Sequence, residues 1–240
     1  MPDKSIHKDI KVERKELKYY IPYAQYFALS HLLSKFLKQD SHNIQGKGYP
    51  VRSLYFDTIE NRSYEEKAAG LEERTKYRLR IYGFDDAQVK FEVKRKFNDV
   101  VLKETAFISR EDAKQIQSRN YEVLLKYKDS VLNKIYKEFK KQHYQPVLLV
   151  DYWREAYMLD FNNIRVVFDR FLKSSTLQLD VFDSRTFTTR RLKRGILIME
   201  IKYNHFIPDF LKTLLQIPSF ARSAISKYTI GRLDYFEAAI

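Results

Sequence analysis

The chain has 240 residues and 28.9 kDa, of which 44% are hydrophobic and 15% aromatic, enough to bury a core and to exclude global disorder. Cysteine is absent, which rules out disulfides and thiolate metal sites and fits a reducing compartment. Lys and Arg number 44 against 31 acids, a net charge of +13, which favours nucleic acid, an anionic membrane surface or phosphorylated small molecules over neutral partners. A merely solvated basic surface would have the same total, so the placement of the charges has to decide.

The first eleven residues read as a flexible polar tail without the apolar core of a signal peptide, and no apolar run approaches the ~20 residues of a membrane span. A soluble, cytoplasmic chain is expected, with attachment to the inner face of a membrane left open. One domain is expected over 12–240. Residues 12–21, VERKELKYYI, alternate like a strand, and Pro22 then opens a helix whose Phe27, Leu32, Leu33, Phe36 and Leu37 form the apolar stripe. A polar, glycine-containing loop leads to a strand at 51–58, VRSLYFDT, and YEEKAAG (64–70) reads as a short linker.

The stretch TKYRLRIYG (75–83) sets Arg78 and Arg80 on one face of a strand, with Lys76 and Tyr82 extending the polar side and Leu79 and Ile81 opposite. Residues 88–96 repeat the pattern, with Lys90, Glu92, Lys94 and Lys96 opposite Phe91 and Val93. A hairpin turn near Asn98 and Asp99 joins that strand to another at 100–108. Ser109 with Asp112 marks a helix start, and helical periodicity continues to about Gln142. Strands follow at 147–159, 164–172, about 177–182 and 195–204, before Pro208 opens a short helix, DFLKTLLQ.

Nearly every strand is charged on one side and apolar on the other: Tyr152 with Arg154, Arg165 with Val167 and Asp169, Ile198 with Glu200 and Lys202. An α+β fold is expected, about eight antiparallel strands closed into a barrel with flanking helices over the apolar faces and the charges inside. So many desolvated cations require phosphate, sulfate or carboxylate to offset their repulsion.

RKELKYYI, VRSLYFDT, KYRLRIYG, FEVKRK, DYWREAY, IRVVFD, IMEIKYN and ISKYTIG, in that order, resemble the vacuolar transporter chaperone (VTC) domain over about residues 12–235. That family belongs to the triphosphate tunnel metalloenzyme (CYTH-like) superfamily, and its similar members are polyphosphate polymerases. The resemblance implies a phosphotransferase that moves the ATP γ-phosphate to a growing polyphosphate chain inside a basic tunnel, with Mn²⁺ or Mg²⁺ as cofactor. By motif, Lys18, Arg78, Arg80, Lys94, Lys103, Arg154, Arg165, Lys202 and Lys227 would bind ATP and polyphosphate, and Glu200 would hold the metal. Glu16 and Glu92 are further metal candidates, although charge partnership with lysines is the favoured role for both. Arg14 replaces the first acid of the superfamily's E-x-E-x-K signature, which disfavours a phosphatase that uses two N-terminal carboxylates. The regulatory SPX domain and membrane segment of eukaryotic relatives are missing, so the resemblance implies a bacterial, stand-alone catalytic domain.

ATP, inorganic polyphosphate and pyrophosphate or orthophosphate are the expected partners, with a membrane-protein partner left open by the sequence. A guanidinium grips two phosphate oxygens at a fixed angle, while lysines supply point charges along which a polyanion slides. The alternatives are a tripolyphosphate or nucleoside triphosphate hydrolase on the same fold, and a non-catalytic polyphosphate- or RNA-binding module. RNA is disfavoured, because the 18 tyrosines and 17 phenylalanines mostly fall on apolar phases. No phosphate-binding glycine loop is present, and His7, His31, His42, His143 and His205 lack metal-ligand spacing. Asp57 reads as a structural hydrogen-bonder, and Trp153 as core beneath a helix.

Overall fold

The computed structural model describes residues 15–43, 46–84, 86–97 and 100–233. The N-terminal tail, the start of the first expected strand at 12–14, the turn at Asn98 and Asp99, and His7 lie outside the described residues. The backbone gathers into two compact units: residues 52–150 with 175–187, and residues 15–51 with 151–174 and 188–233.

The first unit is built on a meander of four antiparallel strands in the order β3-β4-β5-β6: β3 (Tyr49–Asp57, entering from the second unit), β4 (Arg74–Ile81), β5 (Gln88–Phe97) and β6 (Val100–Ser109). Period-two alternation sends Tyr77, Leu79, Phe91 and Val93 into one apolar layer and leaves Arg78, Arg80 and Glu92 on the opposite face. Three helical segments cover the layer: α3 (Arg110–Gln117), a 3₁₀ turn at Tyr121–Lys126, and α4 (Ser130–Lys141). Ser109 caps α3 by accepting from Asp112 N, and Asp129 caps α4 by accepting from Val131 N and Leu132 N. Phe139 of α4 sits within 4.9–5.7 Å of the rings of Phe56, Tyr77, Phe91, Tyr121 and Tyr144.

The second unit orders its strands β1-β10-β8-β7: β1 (Lys15–Pro22), β10 (Ile196–Tyr203), β8 (Ile164–Ser175) and β7 (Gln145–Leu159, whose first residues belong to the first unit). The two-residue strands β2 (Lys38–Gln39) and β9 (Thr189–Arg190) pair with β7 and β8. Helix α1 (Tyr23–Phe36), α5 (Asp209–Leu214) and α6 (Lys227–Arg232) complete the unit. The architecture is the expected α+β, antiparallel with flanking helices. The described ladders end at β1 in one unit and β6 in the other, and none closes the sheet by backbone hydrogen bonds.

Four local expectations are corrected. Helix α1 buries Tyr26, Leu29 and Leu33, with Leu37 just beyond it, and leaves Phe27, Leu32 and Phe36 exposed. A polar bond selects this rotation: the Tyr26 hydroxyl donates to buried Glu155 at 2.6 Å. The expected linker is helix α2 (Arg62–Ala68), because Asp57 accepts from Ser63 N and Tyr64 N at 2.8 and 3.1 Å and satisfies its first turn. Asp57 thus has the structural role its sequence position suggested. The stretch at 177–182 is not a strand, since Gln117 and Asp180 side chains take the amides of Val181 and Phe182, and the pairing falls at β9 instead. Trp153 is half-buried and donates to Lys47 O rather than lying in the core.

Phe139→Ala should lower the unfolding free energy by about 3–5 kcal/mol, the usual cost of emptying a large aromatic site. Urea denaturation is the check, and a loss below about 1 kcal/mol would contradict this packing.

Candidate functional site

In the first unit the register builds the charged face row by row. Arg78 stands opposite Tyr55 on β3 and Glu92 on β5, and Arg80 opposite Ser53 and Lys90. Lys76, Lys94 and Lys103 form a third row across β4, β5 and β6, cation opposite cation. Like charges in such positions destabilise a sheet. Glu92 is the carboxylate set among them. It accepts from Arg78 Nε at 2.7 Å, lies 3.5 Å from Arg80, and pairs through its other oxygen with Lys103. Burial alone would raise the Glu92 carboxyl, but Arg78, Arg80 and Lys103 hold it well below the usual carboxylate range. Desolvation and the two guanidiniums pull the Lys103 ammonium down, against the opposing pull of Glu92. Hydrogen bonds from Arg78 to the Tyr55 hydroxyl (3.0 Å) and from Arg80 Nε to Ser53 Oγ (3.2 Å) fix the two forks. Lys90 lies 4.6 Å from the centre of the Tyr82 ring.

The second unit gathers a different set. Lys18 on β1 stands opposite Glu200 on β10, and Glu16 opposite Lys202, which in turn faces Arg165 on β8. The Glu200 carboxylate lies 3.3 Å from Lys18, 3.2 Å from Lys202 and 3.8 Å from Arg154. Burial opposes its ionisation, yet Lys202, Lys18, Lys227 and Arg154 keep it well below the normal range. Asp169, fully buried on β8, takes two parallel 2.8 Å hydrogen bonds from Arg154 and a 2.6 Å contact from Lys227 at the start of α6. Those two cations outweigh its burial and bring its pKa to about 2. The ring of Tyr152 lies 5.1 Å from both Arg154 and Lys227. Lys18 also donates to Ile225 O at 3.2 Å, which ties β1 to the segment leading into α6.

The residues singled out in the sequence therefore fall into two clusters: Arg78, Arg80, Lys94, Lys103 and Glu92 in one unit, and Lys18, Arg154, Lys202, Lys227, Glu16 and Glu200 in the other. Arg165 shares the second face but is turned to Asp40 and to the Tyr49 hydroxyl, and Asp40 also accepts from His42. Sequence reasoning gave no role to Asp169, Tyr152, Ser53, Tyr55 or Asp40. Asp169 had one usable signal, its alternation in phase with Arg165.

Among the described residues no three His, Asp or Glu side chains gather into a cation site. Glu92 is committed to three cations, and Glu16 lies 3.4 Å from Lys18. Glu200 is itself ringed by Lys18, Lys202 and Arg154, so a hard ion such as Mg²⁺ or Mn²⁺ would find at most one carboxylate here and would have to draw its other ligands from phosphate oxygens and water.

The profile of the VTC domain matches residues 13–236 of this chain. No curated protein matches it. Two of the solved structures that share its fold show the likeness. One, a Bacillus halodurans protein assigned as an adenylate cyclase (bh2851), is 12% identical with a TM-score of 0.50, over 89% of this chain and 95% of that one. The other, HpAC1 from Hippeastrum, assigned as an adenylyl cyclase and credited with a dominant triphosphatase activity, is 14% identical with a TM-score of 0.53, over 91% and 95%.

Asp169 supplies a pH test. A carboxyl whose pKa falls from about 3.8 unfolded to about 2 folded contributes stability above pH ~4 that is lost as the pH drops toward ~2. Asp169→Asn should cost about 3–5 kcal/mol at neutral pH by leaving buried cations unpaired. Thermal melts should show the gap to wild type narrowing between about pH 4 and pH 2; a gap that stays constant would mean Asp169 is not ionised in the fold.

Proposed function

This chain belongs to the VTC domain family, and from that membership we propose that it is an enzyme of triphosphate chemistry, a polyphosphate polymerase that uses ATP. The all-lysine row beside the Arg78–Glu92–Arg80 group carries this reading, because it offers cations at successive strand spacings to a repeating polyanion. In the transfer, a terminal phosphate oxygen of the growing chain attacks the γ-phosphorus, the bond to the β–γ bridging oxygen breaks, and ADP leaves with that electron pair. Such a reaction asks the protein for alignment and charge neutralisation rather than a covalent intermediate. Arg78 and Arg80 are held by Glu92, Tyr55 and Ser53 before substrate arrives, so they grip equatorial phosphoryl oxygens without reorganising. Lys94 and Lys103 hold successive phosphates as point charges. In the second unit Arg154, Lys18, Lys202 and Lys227 play the same part around Glu200 and Asp169. When bound, a divalent metal supplies further neutralisation of phosphate charge, with Glu200 as its protein ligand.

A second reading, hydrolysis of tripolyphosphate or a nucleoside triphosphate, is favoured by one observation: the likeness to HpAC1, credited with triphosphatase activity. Water would then replace the chain terminus as nucleophile on the same cations. Incubation with ATP and Mn²⁺ distinguishes the two. Long phosphate polymer and ADP are expected, whereas orthophosphate alone, under several metals, would establish the hydrolase.

Two substitutions test the site. Arg80→Ala should lower turnover by about 10²–10³ through loss of a charge contact to the transferring group. Leu79→Ala, on the opposite face, should instead cost about 2–5 kcal/mol of stability and spare the turnover of the molecules that remain folded. Glu200→Gln should reduce metal-dependent turnover far more than polyphosphate affinity; equal losses of both, with circular dichroism unchanged, would assign Glu200 to charge partnership alone.

A further inference from the structure

The second unit carries, apart from its charged cluster, an exposed aromatic group bordered by basic residues. Phe171 interrupts β8 with φ +55°, a left-handed conformation that a bulky side chain rarely adopts, and the residue is 48% exposed. Tyr23, at the start of α1, joins Phe171 (6.0 Å between ring centres) to Phe27 (6.2 Å), which is 62% exposed. The α1 N-terminus is fastened to the neighbouring loop by the bond from Tyr23 N to Gly195 O.

The described strand and loop segments beside these rings are basic. Residues 170–174 and 188–195 contain Arg170, Lys173, Arg190, Arg191, Lys193 and Arg194 and no acidic residue, and α1 contains none either. Lys173 and Arg190 stand opposite each other where β8 meets β9, and Lys193 and Arg194 are exposed in the loop that follows. We propose that this aromatic group and its cationic border, independent of the catalytic reading above, form a docking surface for an anionic lipid membrane. Phe27 and Phe171 insert at the headgroup boundary while Lys173, Arg190, Lys193 and Arg194 meet lipid phosphates.

Two observations favour lipid over single-stranded nucleic acid. The rings are tilted against one another by 44° and 56° at about 6 Å, so they form no flat, parallel platform along which successive bases would stack. The layout, apolar centre and basic rim, matches what holds a protein at an anionic interface, where apolar insertion and charge attraction add. The strained placement of Phe171 fits an outward-held wedge, since a polar residue tolerant of left-handed backbone would relax the strand.

The experiment is co-sedimentation of the full chain with vesicles of phosphatidylcholine alone and of phosphatidylcholine with phosphatidylglycerol. Binding is expected only to the anionic vesicles and should fall as salt rises. Lys193→Glu and Arg194→Glu should each weaken it by about fivefold or more. Phe171→Asn should weaken it by about five- to tenfold with an unchanged or higher melting temperature, because asparagine accepts the left-handed conformation. Arg80→Ala should sediment as wild type. Sedimentation unaltered by the Phe171 and loop substitutions, or lost only in Arg80→Ala, would overturn the proposal. So would preferential binding of a single-stranded oligonucleotide that depends on Phe171.

Discussion

Two guanidiniums on one strand face repel each other, and at an effective dielectric constant of about 20 two such charges a few ångströms apart cost about 3–4 kcal/mol. In this protein a buried carboxylate stands between them. Glu92 neutralises Arg78 and Arg80 and reaches Lys103, and in the other unit Glu200 and Asp169 do the same for Lys18, Arg154, Lys202 and Lys227. The carboxylates cancel only part of the charge on each face. The cations are thus fixed in position yet still attract anions, the condition under which fixed charges stabilise a transferring phosphoryl group without rearranging. Removing such a carboxylate would release the cations as well as unbalance them.

The opposite sides of the same strands give this arrangement its stiffness. In the first unit the ring cluster around Phe139 clamps β4 and β5 through Tyr77 and Phe91, whose immediate sequence neighbours are Arg78 and Glu92. A backbone held by close packing on one face cannot twist freely to relieve charge strain on the other. In the second unit Glu155 accepts from the hydroxyls of both Tyr26 and Tyr157 and lies 3.7 Å from Arg170, so a polar knot anchors α1 against β7 and β8. Arg154 and Glu155 are consecutive, one directed to the charged cluster and the other to the helix.

Strict alternation made the charged strand faces readable, because a period of two leaves no freedom once residues such as Arg78 and Arg80 are placed. What it could not supply was register. That Glu92 lies opposite Arg78, or that Arg154 reaches Asp169, depends on pairings between strands that the pattern leaves sliding. The rotation of α1 escapes the pattern for a related reason: overlapping apolar arcs are available, and the selecting bond is to Glu155, 129 positions away. Helix α2 was hidden because its first turn is satisfied by Asp57 from the preceding strand, with Asn61 at φ +59° in place of a conventional cap. At 177–182 alternation was present but the amides had side-chain partners, so a strand-like pattern produced no strand.

The two units differ in how far apart in sequence their partners lie. Strands β3 to β6 are consecutive, so the Arg78–Glu92–Lys103 group can assemble from a short, early portion of the nascent chain. Strand β1 must wait for β10, and Lys18 finds the Ile225 carbonyl 207 positions further on. Closing so long a loop is slow, and until it closes β1 remains an unpaired edge. During synthesis one charged cluster therefore stands complete while the other still lacks half its strands. Chaperone capture or aggregation of incomplete chains would act on β1 and its partners, whose pairing is delayed until β10 has emerged from the ribosome.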